Sequence, residues 1–188
     1  GQAIGIVVVL HDVSLERAHA AQLAYEASHD PLTGLVNRLE FERRLGAAVV
    51  CAQREGCTHT LMYLDLDQFK VVNDTCGHAA GDELICQIAD VMRHQLRRSD
   101  TLARLGGDEF AVLLEYCAAA DGERVAEGLR SAIAAYRYRC QEHEFSIGVS
   151  IGLVRVDERT AKREDALDAA DLACYRAKRE GRNRVQVG

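Results

Sequence analysis

Tryptophan is missing from this 188-residue chain, and proline occurs once, at Pro31. Long apolar runs are missing too. The strongest, Ile4 to Leu10, falls far short of the roughly 20 residues of a membrane span. It has no basic flank and no cleavage-site pattern, so it does not read as a signal peptide. Any membrane anchor is expected outside this chain. Repeats and low-complexity stretches are absent, and hydrophobic and charged residues stand at 48% and 28%. That composition excludes a disordered chain, a collagen and a coiled-coil rod. Excess positive charge is also lacking. A net charge of -6 argues against a nonspecific grip on nucleic acid, which needs a basic surface.

Neither a G-x-x-x-x-G-K-[ST] phosphate loop nor a G-x-G-x-x-G turn occurs, and the seven histidines show no zinc spacing. The seven cysteines are odd in number with no C-x-x-C pair. They read as reduced thiols of a reducing cytoplasm. Gly148 to Gly152 matches G-x-S-x-G. The pattern is rejected as a hydrolase elbow, because its flanks continue a strand and no histidine follows residue 143.

What is present is an alternation of strand and helix patterns. A strand is expected from Gly5 to Val13, then a helix from Leu15 to about Ser28 capped by Ser14. Phe41, Leu45, Ala48, Val49 and Ala52 keep helical spacing. Thr60 to Asp67 reads as a strand, and Leu84, Ile85, Ile88, Val91 and Met92 as a helical stripe. Thr101–Leu105 and Phe110–Tyr116 read as strands of a hairpin, with Gly106-Gly107 supplying the positive φ of its turn. A further helical stripe runs through Val125, Leu129, Ile133 and Tyr136. Phe145 to Val156 reads as one strand, Ala166 to Lys178 as a helix stopped by Gly181, and Val185 to Val187 as a last strand. The fold class is α/β (α+β), a central mixed sheet of about five strands flanked by helices.

Candidate chemistry gathers on acids. Asp65 and Asp67 end a strand and share one face, with Leu66 opposite. Asp108 and Glu109 lie at the hairpin tip. If the two strands are neighbours, Asp65 and Asp108 converge, and two such carboxylates repel unless a cation lies between them. An all-oxygen site of this kind suits Mg²⁺. An exposed hairpin whose acids are merely solvated fits the same composition. Lysine is scarce, three against twenty arginines. Lys70 follows the acidic strand, and Lys178 and Arg182 share one face if their helix persists through Gly181. Such cations suit a triphosphate, and a helix C-terminus attracts them without any ligand. In the run from Asn73 to Asp82, an amide and a carboxylate suit the guanine edge. The plainer reading is a polar turn with Asp82 in the first turn of the next helix.

These segments together resemble the GGDEF domain, the catalytic domain of diguanylate cyclases, over about residues 28 to 188. The signature stands as Arg104 to Phe110. Five further blocks follow the family order: Asp30–Arg38, Asp65–Lys70, Asn73–Asp82, Ser146–Ser150, and Ala170–Lys178 with Gly181–Arg184. The resemblance implies a palm-like nucleotidyl cyclase fold. It also implies condensation of two GTP molecules into cyclic di-GMP with loss of two pyrophosphates, across a homodimer. It assigns Asp65, the Leu66 carbonyl and Asp108 to Mg²⁺ (or Mn²⁺), and Asn73 and Asp82 to guanine with His78 nearby. Lys70, Lys178 and Arg182 go to phosphates. Glu109 goes to a second metal or to deprotonation of the 3′-hydroxyl. Arg97 and Asp100 match the family's R-x-x-D inhibitory product site; a helix-end ion pair is the plain alternative.

Residues 1–13 resemble the last strand of a PAS-like sensor domain, 14–29 a signalling helix, and 30–188 the catalytic domain. The blocks also resemble those of proteins that continue into an EAL phosphodiesterase domain. A second expectation is therefore a regulatory module that binds GTP or cyclic di-GMP and controls such a domain. The location expected is cytoplasmic.

Overall fold

The structure is a computed structural model that describes residues 14–188; the strand expected at 5–13 lies outside the described residues. A helix α1 (Ser14–Ser28) leads into the domain. Its elements then run α2 (Arg38–Glu55), β1 (His59–Asp67), α3 (Phe69–Cys76), α4 (His78–Gln95), β2 (Thr101–Gly106) and β3 (Glu109–Leu114). They continue with α5 (Ala119–Ala135), β4 (Arg137–Cys140), β5 (His143–Ser146), β6 (Gly148–Val156), α6 (Arg163–Arg179) and β7 (Val185–Val187).

The main sheet has the order β2-β3-β1-β6-β7, antiparallel except for the parallel β6–β7 pair. It is the mixed five-stranded sheet expected from the sequence. Residues of β1 alternate between two cores. Met62, Leu64 and Leu66 pack with Leu84, Ile88, Met92, Leu129 and Ile133 of α4 and α5. Leu61 and Tyr63 pack with Phe41, Leu45, Val49, Ala170 and Cys174 of α2 and α6. This period-two switch places Asp65, two residues past Tyr63, on the α6 side. Helix α6 lies close against β6 because Gly152 has no side chain. A Cβ there would meet the Ala170 carbonyl oxygen at 2.0 Å and the Cys174 nitrogen at 2.3 Å.

Several boundaries differ from the sequence reading. The stretch 145–156 is two strands, not one. β5 pairs only with β4 in a separate two-stranded sheet, and β6 starts at Gly148, where a Cβ would lie 2.9 Å from Asp67 Oδ2. Helix α3 replaces the expected polar turn. It buries Val72 alone, so it has almost no apolar stripe to read. Helix α4 starts at His78, which puts Asp82 in its second turn rather than its first. Tyr136 caps α5 instead of extending it, and β3 ends at Leu114, ahead of Tyr116 with its φ of 51°. Among the described residues, no helix is long and apolar enough to cross a membrane.

Candidate active site

Strands β1 and β3 are neighbours, with Asp65 opposite Glu109 in the register, and the Leu66 N–H donates to the Asp108 carbonyl at 3.2 Å. Asp65 and Asp108 therefore converge as expected, and Glu109 stands beside them. The hairpin that presents two of them turns on Gly106 (φ 147°) and Gly107 (φ 52°), values that favour glycine. Asp65 is buried and accepts a 2.5 Å contact from Lys178 Nζ in the last turn of α6. Burial raises the pKa of Asp65, Lys178 lowers it, and Asp108 and Glu109 raise it again; the balance is upward. For Lys178, burial opposes the charge but Asp65 outweighs it, so the ammonium is held above its ordinary value. Tyr63, on the same face, has its phenol pushed up by burial and by Glu109.

The three acids offer hard oxygen donors, and one ammonium leaves Asp65 still biased toward its neutral form. That bias comes chiefly from burial and only then from the facing Asp108 and Glu109, and three carboxylates gathered in a partly dry corner suit a divalent cation such as Mg²⁺ or Mn²⁺. The residues fit the metal.

Asp67 shares the face of Asp65 but does other work. Its Oδ1 accepts from the Ser150 hydroxyl at 2.8 Å and its Oδ2 from the Asn183 N–H at 2.9 Å. The serine of the rejected G-x-S-x-G pattern is thus a buried donor inside β6.

Two arginines fix the hairpin and had no role in the sequence reading. Arg104 donates through Nε and Nη2 to the Gly107 carbonyl at 3.0 and 2.9 Å, and its Nη1 reaches both oxygens of Asp30 at 3.2 and 3.3 Å. Arg38 Nε donates to the Leu105 carbonyl at 3.2 Å, and its Nη2 lies 3.7 Å from Glu109 Oε2. Both sit inside the family blocks, which was the available signal.

The second region is the α3–α4 corner. Asn73 Oδ1 is buried with no hydrogen-bond partner. It lies against Gly81, where a Cβ would come within 1.9 Å of it. Lys70, His78 and Asp82 are exposed on the same two helices. Arg182 departs from expectation. Helix α6 ends at Arg179, Arg182 adopts φ 61°, and it lines a cleft with Gln68, Gly148 and Asn183 instead of continuing the face of Lys178.

Arg97 and Asp100 follow the end of α4 in a turn. The Asp100 carboxylate accepts from the Arg97 backbone N–H at 2.8 Å, and the Asp100 N–H donates to the Arg97 carbonyl at 3.0 Å. Their side chains form no ion pair among the described residues, so the plain alternative is not realised. Both line a cleft of about 290 Å³ with Tyr116, Asp121 and Arg124.

Comparison with known proteins gives a consistent result. The family model described as "Diguanylate cyclase, GGDEF domain" matches residues 27–184. The chain is 41% identical over 187 residues to the "Probable diguanylate cyclase DgcE" of Escherichia coli (strain K12), covering 100% of this chain and 17% of that protein. It is 41% identical over 170 residues to the "Bifunctional diguanylate cyclase/cyclic di-GMP phosphodiesterase MucR" of Pseudomonas aeruginosa, covering 90% of this chain and 24% of that one. The crystal structure of the coiled coil and GGDEF domain of DgcB from Caulobacter crescentus, in complex with c-di-GMP, superposes with a TM-score of 0.88 at 32% identity. That match covers 94% of this chain and 93% of that one. The chain thus spans about a quarter or less of the two curated relatives.

Proposed function

The chain belongs to the GGDEF family of diguanylate cyclases, and from that premise we propose that its acidic cluster condenses two GTP molecules into cyclic di-GMP. The observation that carries the reading is the meeting of Asp65, Asp108 and Glu109 across β1 and β3, with the Lys178 ammonium against Asp65.

Asp65, Asp108 and the Leu66 carbonyl would hold Mg²⁺ or Mn²⁺. Bound there, the ion would neutralise triphosphate charge and polarise the α-phosphate. Lys178, Lys70 and Arg182 bind phosphate oxygens as charge-assisted donors. The Asn73 amide donates to guanine O6, and Asp82 accepts from N1–H and N2–H, with His78 beside them. Glu109 takes the proton of the 3′-hydroxyl or holds a second ion. Each hydroxyl oxygen then attacks the α-phosphorus of the other subunit's GTP, a P–O bond forms, and pyrophosphate leaves with the electron pair of the bond that breaks. Attack between two GTP molecules held by two subunits requires a homodimer. Arg97 and Asp100 are the product site, their guanidinium and carboxylate free of each other and open to the cleft.

The test is incubation of the chain with GTP and Mg²⁺ over a range of protein concentrations, followed by chromatography. Cyclic di-GMP and pyrophosphate, rising more steeply than protein concentration, are expected. GTP left intact while calorimetry still shows it bound would favour the regulatory-module reading instead.

A further inference from the structure

The start of β1, about 20 Å along the strand from the acidic cluster, carries a second group of reactive side chains. Cys51 lies in the last turn of α2. Gly56 then reverses the chain at φ 67°, its N–H donating to the Ala52 carbonyl. That reversal folds Cys57 back over Cys51, and the two Sγ atoms stand 2.8 Å apart. Cys57 Sγ is 3.2 Å from His59 Nε2, and Cys51 Sγ is 3.5 Å from the Tyr116 hydroxyl.

Two chemistries suit such a trio. The ligand atoms of Cys51, Cys57 and His59 all lie within 4.8 Å of one another, close enough for a thiophilic metal. The hydrogen bonds decide against it. His59 Nδ1 accepts from the Tyr116 N–H at 3.1 Å, so the neutral ring carries its proton on Nε2, aimed at Cys57. A metal at Nε2 would have to displace that proton and leave an imidazolate. Cys57 sulfur gains negative charge as it loses its proton in closing a disulfide, and it needs the donor that is already there.

We propose that Cys51 and Cys57 are a redox-active dithiol, in which a peroxide oxidises Cys51, Cys57 closes a disulfide on it, and His59 is the hydrogen-bond donor to Cys57. Tyr116 N–H donates to His59 and His59 Nε2–H to Cys57, the two sulfurs share a hydrogen bond in which either can donate, and Cys51 Sγ lies 3.6 Å from the Glu55 carboxylate. Cys51, and not Cys57, lines the cavity beside the pair, so Cys51 is the sulfur that an oxidant meets first; the Cys57 thiol behind it is pushed up to about 11, chiefly by its hydrogen bond to Cys51. Cys51 is half-buried and lines a cavity of about 250 Å³ with Arg44, His59 and Tyr116, which admits a small oxidant.

In the first step the Cys51 sulfur attacks the peroxide O–O bond and gives up its proton. A sulfenic acid forms, and the hydroxide that leaves is protonated to water. In the second, Cys57 sulfur attacks Cys51 sulfur, the S–O bond breaks, and the Cys57 proton leaves with the hydroxide as another water. Two thiols lose two electrons and two protons, and hydrogen peroxide becomes two waters.

Trypsin separates the two cysteines, because Arg54 lies between them, into fragments 45–54 and 55–70 with one cysteine each. The reduced full chain is treated with hydrogen peroxide, blocked with an alkylating agent and digested. The expected product is the cross-linked pair of these fragments, reversed by dithiothreitol, forming well before any modification of the half-buried Cys86. Cys57→Ser should stop at a sulfenic acid on Cys51 that dimedone traps, and Cys51→Ser should give neither product. His59→Gln should slow closure about tenfold. Because His59 is buried, the Cys57→Ser trap decides the matter if that variant fails to fold. Oxidation of Cys51 and Cys57 no faster than Cys86 would overturn the proposal. So would stoichiometric zinc that shields both thiols and is lost in His59→Gln.

Discussion

Replacing Lys178 by methionine tests the electrostatics of the acidic cluster. The substitution keeps the packed stem and removes the charge 2.5 Å from Asp65. Breaking a fully buried pair costs about 3–5 kcal/mol, and an exposed pair about 0–1 kcal/mol. The Asp65 side chain is 12% exposed but that of Lys178 is 34% exposed, so solvent screening brings the expected loss to about 1–3 kcal/mol. For a domain of this size that is a fall of roughly 3–10 °C in the unfolding midpoint. The pH dependence fixes the cause. Asp65 already has a folded pKa above its ordinary value, and losing Lys178 raises it further. A carboxyl whose folded pKa exceeds its unfolded one weakens the fold above that pKa, and the penalty fades as pH falls and the group takes up its proton. The gap between parent and variant should therefore be widest near pH 7.5 and close toward pH 4. Thermal unfolding by circular dichroism at several pH values reads this directly. Asp65→Asn combined with Lys178→Met should recover most of the loss. A gap that persists unchanged at low pH, or a double variant no better than the single one, would refute the reasoning.

Gly81→Ala should displace the Asn73 amide, since the new Cβ would lie 1.9 Å from its Oδ1. Because Asn73 is only half-buried the fold should survive, while GTP affinity falls about tenfold or more and ATP affinity does not; calorimetry showing equal losses would remove Asn73 from guanine recognition. Asp67→Asn swaps one of two acceptors for a donor facing the Ser150 hydroxyl or the Asn183 N–H. It should cost about 1–3 kcal/mol in denaturant unfolding with GTP affinity retained, whereas loss of binding at full stability would make Asp67 a ligand instead. Arg97→Ala should weaken cyclic di-GMP at least about tenfold by calorimetry and leave GTP unaltered. Unchanged product affinity would return Arg97 and Asp100 to an ordinary turn.

The sheet and its main helices were legible because burial imposes period on sequence. Phe41, Leu45, Val49 and the β1 run all repeat at the spacing of the element that buries them. The hairpin was legible because a tight turn demands Gly106 and Gly107. Elements that bury little left no such record. Helix α3 hides a single side chain, and β4 and β5 pair only with each other. The break at Ile147 was invisible because residues on both sides suit a strand, and only the fold brings Asp67 against Gly148. In the site, the identities of Asp65, Asp108 and Glu109 were readable, but the division of labour between Asp65 and Asp67 was not. Both are acids on one face, and only the partners, Lys178 for one and Ser150 with Asn183 for the other, separate them. The apposition of Cys51, Cys57 and His59 was equally hidden, since it depends on the left-handed Gly56 and on the backbone N–H of Tyr116.

The central claim is that the hairpin acids carry the chemistry without carrying the fold. Asp108→Asn combined with Glu109→Gln tests it most directly. Both residues are only partly buried at the tip of the β2–β3 hairpin, so the unfolding midpoint should move little. Cyclic di-GMP production from GTP and Mg²⁺, followed by chromatography beside the parent chain, should disappear. Product made by the double variant near the parent rate would contradict the account.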